Sequence, residues 1–380
     1  MHKEKLEQDL FNKIPKSATV AIFGAGEIGK QIYIDIKNQR NDVNIIGFID
    51  NFTQEPCFNL PVWTLKQFVD KKPEIDLVIM STRTHFNILN NIFDIFNIQI
   101  LEHTNFLFSY YRNELNLLNS KNLEKVTALF EKEEDKQLYE LLFKIRCKFL
   151  DVDLIKNRYA SLYSKEQLLP AFPIKHQYLE KINTKAISKI LDVGLNSGLN
   201  VVAFNQLLPN LEKTYGFEVI YDVARIPFVE EFIMNKKLEI VPYALGDKET
   251  TIEFFIDNLG SGGSFCGEIA NRKNPVDENR YKKIKAEVIT MDKYCSDNNV
   301  KPDFIKMDIE GAEMAALRGG LKTIQEHRPQ LAISIYHSNS DFINIPLYLH
   351  DNLENYKFRL GHYSPRLSET VLYAVPNELV

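Results

Sequence analysis

The sequence predicts an α/β protein with a small N-terminal parallel sheet, a helical connector and a larger C-terminal sheet of seven strands that ends in an antiparallel hairpin. Three observations lead to this prediction. An apolar run feeds a glycine-rich turn twice, at Gly24–Gly29 and at Asp192–Gly198. Strand and helix patterns alternate after both turns. At 380 residues, the chain also exceeds the size at which a single core usually keeps growing, so we expect more than one domain.

The first predicted domain covers residues 1–108. Its elements are strand 19–23, helix 27–39, strand 43–50, short helix 65–69, strand 75–81, helix 85–96 and strand 99–102. Glycines let the turn backbone approach a ligand, and Asp50 closes the second strand, where a carboxylate can accept hydrogen bonds from ribose hydroxyls. We therefore predict a nucleotide site made of Gly24, Gly26, Gly29 and Asp50.

The second predicted region, residues 109–168, is a helical connector. Residues 110–158 contain neither glycine nor proline, and apolar residues recur at spacings of three and four, which is typical of amphipathic helices. The charged run Glu131–Lys136 indicates either a solvated face or a break between two helices. Helices between residues 110 and 158 are also a candidate contact in a homo-oligomer.

The third predicted domain covers residues 169–380. Strands are predicted at 187–193, 214–219, 238–244, 304–308, 331–336, 357–362 and 370–375, with a helix over 311–326. Only seven residues separate the last two strands, too few for a helical crossover, so they must pair antiparallel. An insertion, 250–289, carries two more strand-like runs around a polar loop, 258–279.

Composition excludes several classes of protein. The net charge is −5 and no long Lys/Arg run occurs, which argues against nucleic acid or an anionic membrane as the main partner. The polar start lacks an apolar signal core, and no stretch is long enough to span a bilayer. Four scattered cysteines without metal-type or redox-type spacing indicate free thiols in a reducing compartment. We expect a soluble cytoplasmic protein.

The C-terminal domain closely resembles the FkbM-type family of S-adenosylmethionine-dependent methyltransferases over most of residues 170–380. The turn Leu191–Gly198 matches the family's glycine loop, with Leu195 where alanine is usual, and Asp303–Glu313 matches a long and specific signature. The remaining matches, in the family's order, are Glu218, Ala244–Asp247, Ile289–Asp292 and Glu369–Tyr373. This resemblance implies a class I methyltransferase sheet and an O-methyl transfer reaction.

S-adenosyl-L-methionine is then the expected cofactor, and its chemistry assigns the residues. Glu218 is placed to accept both ribose hydroxyls, and Asp192 can bind the ammonium of the amino-acid tail. Asp247 could bind the adenine amino group. The turn supplies Gly194, Asn196 and Gly198, whose backbone passes close to the tail.

Methyl transfer to an alcohol also needs a group that removes the hydroxyl proton. His337 ends the fifth strand and is the first candidate for general base, although a structural histidine is an equal alternative. Asp308, at the end of the fourth strand, and Glu310 could hold a divalent metal or orient the acceptor; Glu310 could equally be a carboxylate at a helix N-terminus. The loop Leu259–Phe265 is either a lid over the substrate or a plain mobile turn.

The N-terminal domain is similar to small Rossmann-like domains attached to sugar-modifying enzymes, through Gly47–Asn51, Leu60–Trp63 and Ile75–Ile79. This resemblance implies a nucleotide-sugar ligand and a small-molecule, sugar-nucleotide or glycan acceptor. The glycine turn with Asp50 also fits a dinucleotide fingerprint, but no hydride-transfer constellation follows, so we do not expect NAD. Three alternatives stay open: an NAD-dependent oxidoreductase, a non-catalytic protein that merely retains cofactor, and an N-terminal site that holds nothing.

Overall fold

The computed structural model describes residues 14–81 except 54 and 72, 99–102, 114–148, 177–220 except 197, 229–257, 265–266, 281–364 and 367–380. The chain divides into two compact units. The first unit contains residues 1–113 and 145–151, and the second contains residues 114–144 and 152–380. The predicted boundaries after residues 108 and 168 stay predictions, and the predicted helix 85–96 and loop 259–264 lie outside the described residues.

The first unit is built on a five-stranded sheet. Its elements are β1 (Thr19–Phe23), α1 (Glu27–Gln39), β2 (Asn44–Ile49), β3 (Val62–Trp63), α2 (Leu65–Lys71), β4 (Leu77–Met80) and β5 (Gln99–Glu102). All strands are parallel in the order β3-β2-β1-β4-β5. The direction of winding therefore reverses between β1 and β4, which is where open α/β sheets bind ligands. The two-residue strand β3 was not predicted.

Both faces of this sheet are covered. Val20 and Ile22 of β1 belong to one buried apolar cluster, whereas Ala21 and Phe23 belong to another. Successive side chains of a strand point to opposite faces, so the uninterrupted apolar run of β1 is what a doubly covered parallel sheet requires.

Two helices follow in the region predicted to be a connector, α3 (Ser120–Thr127) and α4 (Glu133–Lys148). Within the second unit, Tyr139 of α4 stacks on Phe342 at 4.4 Å between ring centroids and donates a hydrogen bond to its carbonyl oxygen. The run Glu131–Lys136 is not simply a solvated face, because the Asp135 side chain is buried and ion-paired with Lys181 and Arg359. A role of these helices in oligomers stays a prediction.

The rest of the second unit supplies two further sheets. Its elements are β6 (Lys189–Val193), α5 (Leu199–Leu207), β7 (Lys213–Phe217), α6 (Glu230–Met234), β8 (Leu238–Val241), β9 (Ala244–Leu245), β10 (Thr250–Asp257), β11 (Phe265–Cys266), β12 (Tyr281–Ile289), α7 (Met291–Asp297), β13 (Phe304–Met307), α8 (Glu313–Arg318), α9 (Leu321–His327), β14 (Gln330–Ser334), α10 (Asn339–Asn352), β15 (Tyr356–His362) and β16 (Thr370–Pro376).

The larger sheet has the order β15-β16-β14-β13-β6-β7-β8, and β16 runs antiparallel to both β14 and β15. The predicted seven-stranded sheet with a terminal antiparallel hairpin is confirmed. Winding reverses between β6 and β13, so the carboxyl ends of these two strands mark the expected ligand site. Among the described residues, no helix combines the length and the apolar character needed to cross a membrane.

Two predicted elements of this unit were wrong in detail. The helix predicted over 311–326 is two helices, α8 and α9, because Gly319 and Gly320 interrupt it and glycine is a poor helix former. The strand predicted over 238–244 ends at Val241, and Ala244 belongs to β9 in a separate four-stranded sheet with the order β11-β10-β12-β9. The two strand-like runs of the insertion, β10 and β12, pair antiparallel as the core of that smaller sheet.

Candidate active site

The glycine turn after β6 brings two loops into direct contact. Gly194 has φ of 88°, in the left-handed region, and a Cβ added to it would lie 2.0 Å from the carbonyl oxygen of Asp308. The position therefore requires glycine on two separate grounds. The amides of Gly194 and Leu195 both donate to the Phe217 carbonyl oxygen at 3.1 Å. Gly198, with φ of 73°, precedes α5.

Glu218 lies directly after β7 and faces this turn. Its Oε2 accepts a hydrogen bond from the Asn196 amide at 2.9 Å, and its Oε1 accepts one from the Ile220 amide at 2.9 Å. Burial raises the pKa of Glu218, and the two amides oppose that rise. A carboxylate oxygen has two lone pairs, so both oxygens retain capacity for ribose hydroxyls. Glu218 therefore lies beside the glycine turn, and its role at a ribose stays a prediction.

Asp192, which the sequence assigns to the tail ammonium, has no exposed side-chain surface, and its role at the cofactor stays a prediction. Its side chain is fully buried, and its Oδ1 lies 3.0 Å from Nζ of Lys306 on the adjacent strand β13. Lys306 Nζ also donates to the Gly194 carbonyl oxygen at 2.6 Å. Burial raises the pKa of Asp192, and Lys306 opposes that rise. The ion pair thus ties the base of the glycine turn to β13.

Asp308 extends from β13 into a ring of polar groups. Its amide donates to the Val193 carbonyl oxygen at 3.0 Å, which continues the ladder between β13 and β6. Tyr178 donates its hydroxyl to Oδ2 of Asp308 at 2.8 Å, and Tyr336 donates to Oδ1 at 3.2 Å. Burial, followed by the Asp308 charge, raises the pKa of both tyrosines, so they remain hydroxyl donors that orient this carboxylate.

His337 lies beyond the end of β14 with a carboxylate at each ring nitrogen. Its Nε2 is 3.4 Å from Oδ1 of Asp308 and 3.8 Å from Oε2 of Glu310, and its Nδ1 is 3.0 Å from Oε1 of Glu313. Glu313 is completely buried and also accepts the Ile309 amide at 2.8 Å. One ligand atom each from Asp308, Glu313 and His337 fall within 4.8 Å of one another.

The electrostatics of His337 follow from these neighbours. Burial opposes a charge on the imidazole, whereas Glu313, Asp308 and Glu310 favour it. The carboxylates prevail, and the pKa of His337 lies well above its ordinary value. Burial and the charge of Glu313 also raise the pKa of Asp341 to about 7.

Glu310 is not at the start of a helix, as one alternative had it. Helix α8 begins at Glu313, and Glu310 lies in the preceding turn with φ of 57°, a left-handed conformation that costs energy in a residue other than glycine. Its side chain is about half exposed. The acidic residue in the first turn of the helix is Glu313 instead.

The structure therefore brings most of the predicted residues together at one edge of the large sheet. Around the glycine turn lie Asp192, Gly194, Asn196, Gly198 and Glu218, and beside it lie Asp308, Glu310 and His337. Asp247 differs, because it is exposed just after β9. Its role at an adenine ring stays a prediction.

Four residues of the site were missed from the sequence: Tyr178, Lys306, Glu313 and Tyr336. Lys306 carried a usable signal, since a lysine inside an apolar strand must find a buried partner. Glu313 lies within the signature Asp303–Glu313 but reads like any acidic residue in a first helical turn. The two tyrosines had no local signal, because Tyr178 reaches Asp308 across 130 residues of sequence.

The first unit contains a second turn of the same construction. Gly24 has φ of 101°, and a Cβ there would lie 2.2 Å from Oγ of Ser81. Asp50 Oδ2 accepts the Ala25 amide at 2.8 Å. Gly26 precedes α1, and a Cβ on Gly29 would lie 1.9 Å from the Gly24 carbonyl oxygen. The four predicted residues of this turn are therefore neighbours.

The second unit has features that fit S-adenosylmethionine. The turn offers a Cβ-free backbone at Gly194, and Glu218 offers lone pairs for a ribose diol. The carboxylates beside it supply negative charge suited to a sulfonium. Asp192 fits less directly, since its pairing with Lys306 leaves no exposed surface.

Comparison with known proteins agrees with this description. Residues 192–360 match the family model of the Methyltransferase FkbM domain. The 2-O-methyltransferase NoeI of Sinorhizobium fredii is 27% identical over 162 residues, which cover 40% of this chain and 65% of that relative, so the match spans less than two thirds of its length.

The crystal structure of Methyltransferase FkbM from Methylobacillus flagellatus KT superposes with a TM-score of 0.62 at 17% identity, covering 97% of this chain and 93% of that one. At this identity the superposition establishes the fold. Together with the family match, it leads to one conclusion: residues 192–360 are similar to the Methyltransferase FkbM domain, and the chain has the fold of that solved structure.

Proposed function

We propose that the chain is an O-methyltransferase that moves the methyl group of S-adenosylmethionine to a hydroxyl of a sugar carried on a nucleotide-linked or glycan precursor. The observation that carries the proposal is the contact between the glycine turn and Asp308, at Gly194. It places the cofactor loop directly beside a carboxylate and imidazole cluster that can activate an alcohol.

Cofactor binding is assigned to the turn and its neighbours. Glu218 accepts the ribose hydroxyls, and the backbone at Gly194, Asn196 and Gly198 lies along the amino-acid tail. Asp192 is ion-paired with Lys306, which in turn donates a hydrogen bond to Gly194 of the turn. We assign Asp192 an electrostatic effect on the tail ammonium through its charge. Asp247 is proposed for the adenine amino group because it lies just after the end of β9. The preceding residue, Gly246, donates its amide to the Ile289 carbonyl oxygen.

The chemical step is an in-line displacement. The acceptor oxygen forms a bond to the methyl carbon as the carbon–sulfur bond breaks, which yields a methyl ether and S-adenosylhomocysteine. The hydroxyl proton passes to the carboxylate of Asp308 rather than to His337, because the raised pKa of His337, 3.4 Å away, leaves that imidazole already protonated. Glu313 holds Nδ1 of His337, so Nε2 faces the carboxylate that meets the substrate.

Three observations support a sugar acceptor. The S. fredii relative is named as a 2-O-methyltransferase. The wall around Asp308 is formed by hydroxyls and carboxylates from Tyr178, Tyr336 and Glu310, which suits an acceptor with several hydroxyls. The first unit resembles domains of sugar-modifying enzymes, and its turn at Gly24 and Asp50 is the proposed handle for a nucleotide-sugar.

A cytoplasmic location is part of this proposal. Cys57 and Cys295 are buried free thiols, as expected in the reducing compartment that also supplies S-adenosylmethionine and nucleotide-sugars.

Methyl transfer can be tested directly. The chain is incubated with methyl-labelled S-adenosylmethionine and a panel of nucleotide-sugars and free sugars, and products are identified by mass spectrometry. We expect a methyl ether and an equal amount of S-adenosylhomocysteine, both absent in the Asp308→Asn variant. Calorimetric titrations with NAD and S-adenosylmethionine provide the contrast. Tight NAD binding with no response to S-adenosylmethionine would overturn the proposal in favour of an oxidoreductase.

A further inference from the structure

We propose that Asp308, Glu310 and His337 form a binding site for one divalent transition-metal ion, with Glu313 as the positioning residue behind the imidazole. The assignment goes beyond the pair Asp308 and Glu310 that the sequence indicated. The ion's catalytic use rests on the proposed function, because it would bind the acceptor oxygen. Its binding to the chain does not depend on that function.

The distances suit one ion shared by three side chains. Nε2 of His337 lies 3.4 Å from Oδ1 of Asp308 and 3.8 Å from Oε2 of Glu310. Ligand atoms about 2.0–2.2 Å from one ion and at right angles to each other are about 3 Å apart. Changes of under about 1 Å would bring both the His337–Asp308 pair and the His337–Glu310 pair of atoms to this spacing.

The opposite nitrogen of the imidazole has the partner that metal-binding histidines use. Nδ1 of His337 lies 3.0 Å from Oε1 of the buried Glu313. A carboxylate at this nitrogen fixes the tautomer and ring orientation and raises the basicity of the nitrogen that binds the ion. Tyr178 and Tyr336 support Asp308 in the same way through their hydroxyls.

An independent observation comes from hydrogen bonding. The His337 side chain is 9% exposed, yet its Nε2 completes no hydrogen bond within the part of the chain that the structure describes. The Glu313 side chain has no exposure, and its Oε2 likewise makes no hydrogen bond among the described residues. Buried polar atoms without hydrogen bonds are uncommon and indicate a bound water or ion.

The charge of the cluster points to a cation. Three carboxylates surround His337: Asp308 and Glu310 lie near its Nε2, and Glu313 lies at its Nδ1. Lys306, a cation close by, is ion-paired with Asp192. A divalent ion would offset the excess negative charge more effectively than a single imidazole proton, which it would displace on binding.

The donor set indicates the class of ion. Mg²⁺ and Ca²⁺ favour all-oxygen sites, whereas two carboxylates with one imidazole suit Mn²⁺, Fe²⁺, Co²⁺ or Zn²⁺. An ion here would lower the pKa of a bound acceptor hydroxyl and so assist its deprotonation.

Metal binding is tested with Mn²⁺ alone. The full chain is treated with EDTA, dialysed and titrated with MnCl₂, and free Mn²⁺ is followed by electron paramagnetic resonance. We expect one saturable site, with affinity lowered at least about tenfold in His337→Ala and about 10–100-fold in Glu313→Gln. Asp351→Asn, an exposed carboxylate of α10, should bind Mn²⁺ like the unaltered chain. Absence of the site, or equal binding by His337→Ala, overturns the proposal.

Two measurements keep the result interpretable. Nitrogen hyperfine coupling of bound Mn²⁺ in the unaltered chain reports the histidine ligand without any substitution, and its absence contradicts the site even if a variant fails to fold. S-adenosylmethionine binding is titrated on the same EDTA-treated protein. Cofactor binding without Mn²⁺ binding would reject the metal site and leave the proposed function standing, whereas the reverse would reject the function and keep the site.

Discussion

The two glycine turns of this chain share one backbone construction. The residue after the first strand is glycine with φ of 101° in the first unit and 88° in the second. In each unit the carboxylate after the next strand accepts an amide of the turn, at 2.8 Å for Asp50 and 2.9 Å for Glu218. The backbone of the two turns therefore does not distinguish the two units.

The difference lies on the neighbouring strand. Ser81 follows β4 and Asp308 follows β13, and both donate their amides to the last residue of the first strand, at 2.9 and 3.0 Å. Ser81 turns its hydroxyl to the Phe23 carbonyl oxygen at 2.6 Å, so it completes the turn. Asp308 instead joins the carboxylates around His337. The same fold position therefore completes a turn in one unit and belongs to the group of carboxylates around a histidine in the other.

One residue earlier the contrast repeats inside the sheet. Ile22 pairs in register with Ile79 in the first unit, whereas Asp192 pairs with Lys306 in the second. All four side chains are buried. A parallel sheet of this kind thus folds around an apolar pair, and the buried ion pair is an addition tied to the site.

Breaking that ion pair should have the largest effect. Lys306→Met leaves the Asp192 charge buried and unpaired, which we expect to lower the free energy of unfolding by about 3–5 kcal/mol. Urea unfolding followed by circular dichroism measures the loss. Trp63, the chain's single tryptophan, lies in the first unit, so its fluorescence transition should stay in place and serves as the internal control.

Replacing the ion pair with the apolar pair found in the first unit makes this test more specific. A double variant, Asp192→Ile with Lys306→Ile, should recover stability to within about 1–2 kcal/mol of the unaltered chain, because an apolar pair avoids the desolvation cost. It should nevertheless bind S-adenosylmethionine poorly, as shown by calorimetry. A double variant as unstable as Lys306→Met would mean that the ion pair is needed for the fold itself.

The second prediction concerns the residue after the neighbouring strand. Asp308→Asn keeps the shape and the backbone contact with β6 but removes the charge beside His337, so turnover should fall about a hundredfold or more. Ser81→Ala, the matched change in the first unit, should leave turnover with saturating acceptor unchanged. Initial rates of S-adenosylhomocysteine formation measure both, and equal losses in the two variants would contradict the contrast.

The sequence was sufficient for the fold because the fold depends on local patterns. Apolar runs, glycine turns and the short link between β15 and β16 predicted both sheets and the antiparallel end. It was insufficient where two distant segments decide the outcome. Nothing near residue 241 shows that the chain leaves one sheet for another. The break at Gly319 and Gly320, by contrast, had a local signal in the two adjacent glycines.

The candidate site divides in the same way. Glu218 and Asp308 were predicted because strand ends carry ligand groups in open α/β sheets. The contact of Glu313 with His337 was not predicted, because His337 lies 24 residues further along the sequence. The two residues meet only after β14 joins the sheet. Asp192 was expected to face the cofactor, and its burial with Lys306 follows from the register between β6 and β13.

The third prediction tests the carboxylate that closes the turn of the second unit. Glu218→Gln retains an oxygen and the length of the side chain but loses charge-assisted hydrogen bonds to a ribose diol and to the turn amides. The dissociation constant for S-adenosylmethionine should rise about tenfold, equivalent to about 1.4 kcal/mol. Calorimetric titration gives the constant, with Glu326→Gln on the exposed face of α9 as the control.

The smallest effect is expected from the matching change in the first unit, Asp50→Asn. If the first turn is a handle for the acceptor, this variant should leave the affinity for S-adenosylmethionine and the turnover number unchanged and raise KM for a nucleotide-sugar severalfold, because it weakens a binding contact outside the reacting atoms. The same variant should have no effect on KM for the free sugar, which lacks the nucleotide. Steady-state kinetics with both acceptors separates these cases. An unchanged KM for every nucleotide-sugar would leave the first turn with a structural role, in which Asp50 accepts the amides of Ala25, Phe52 and Thr53, and the two turns would then be alike in backbone alone.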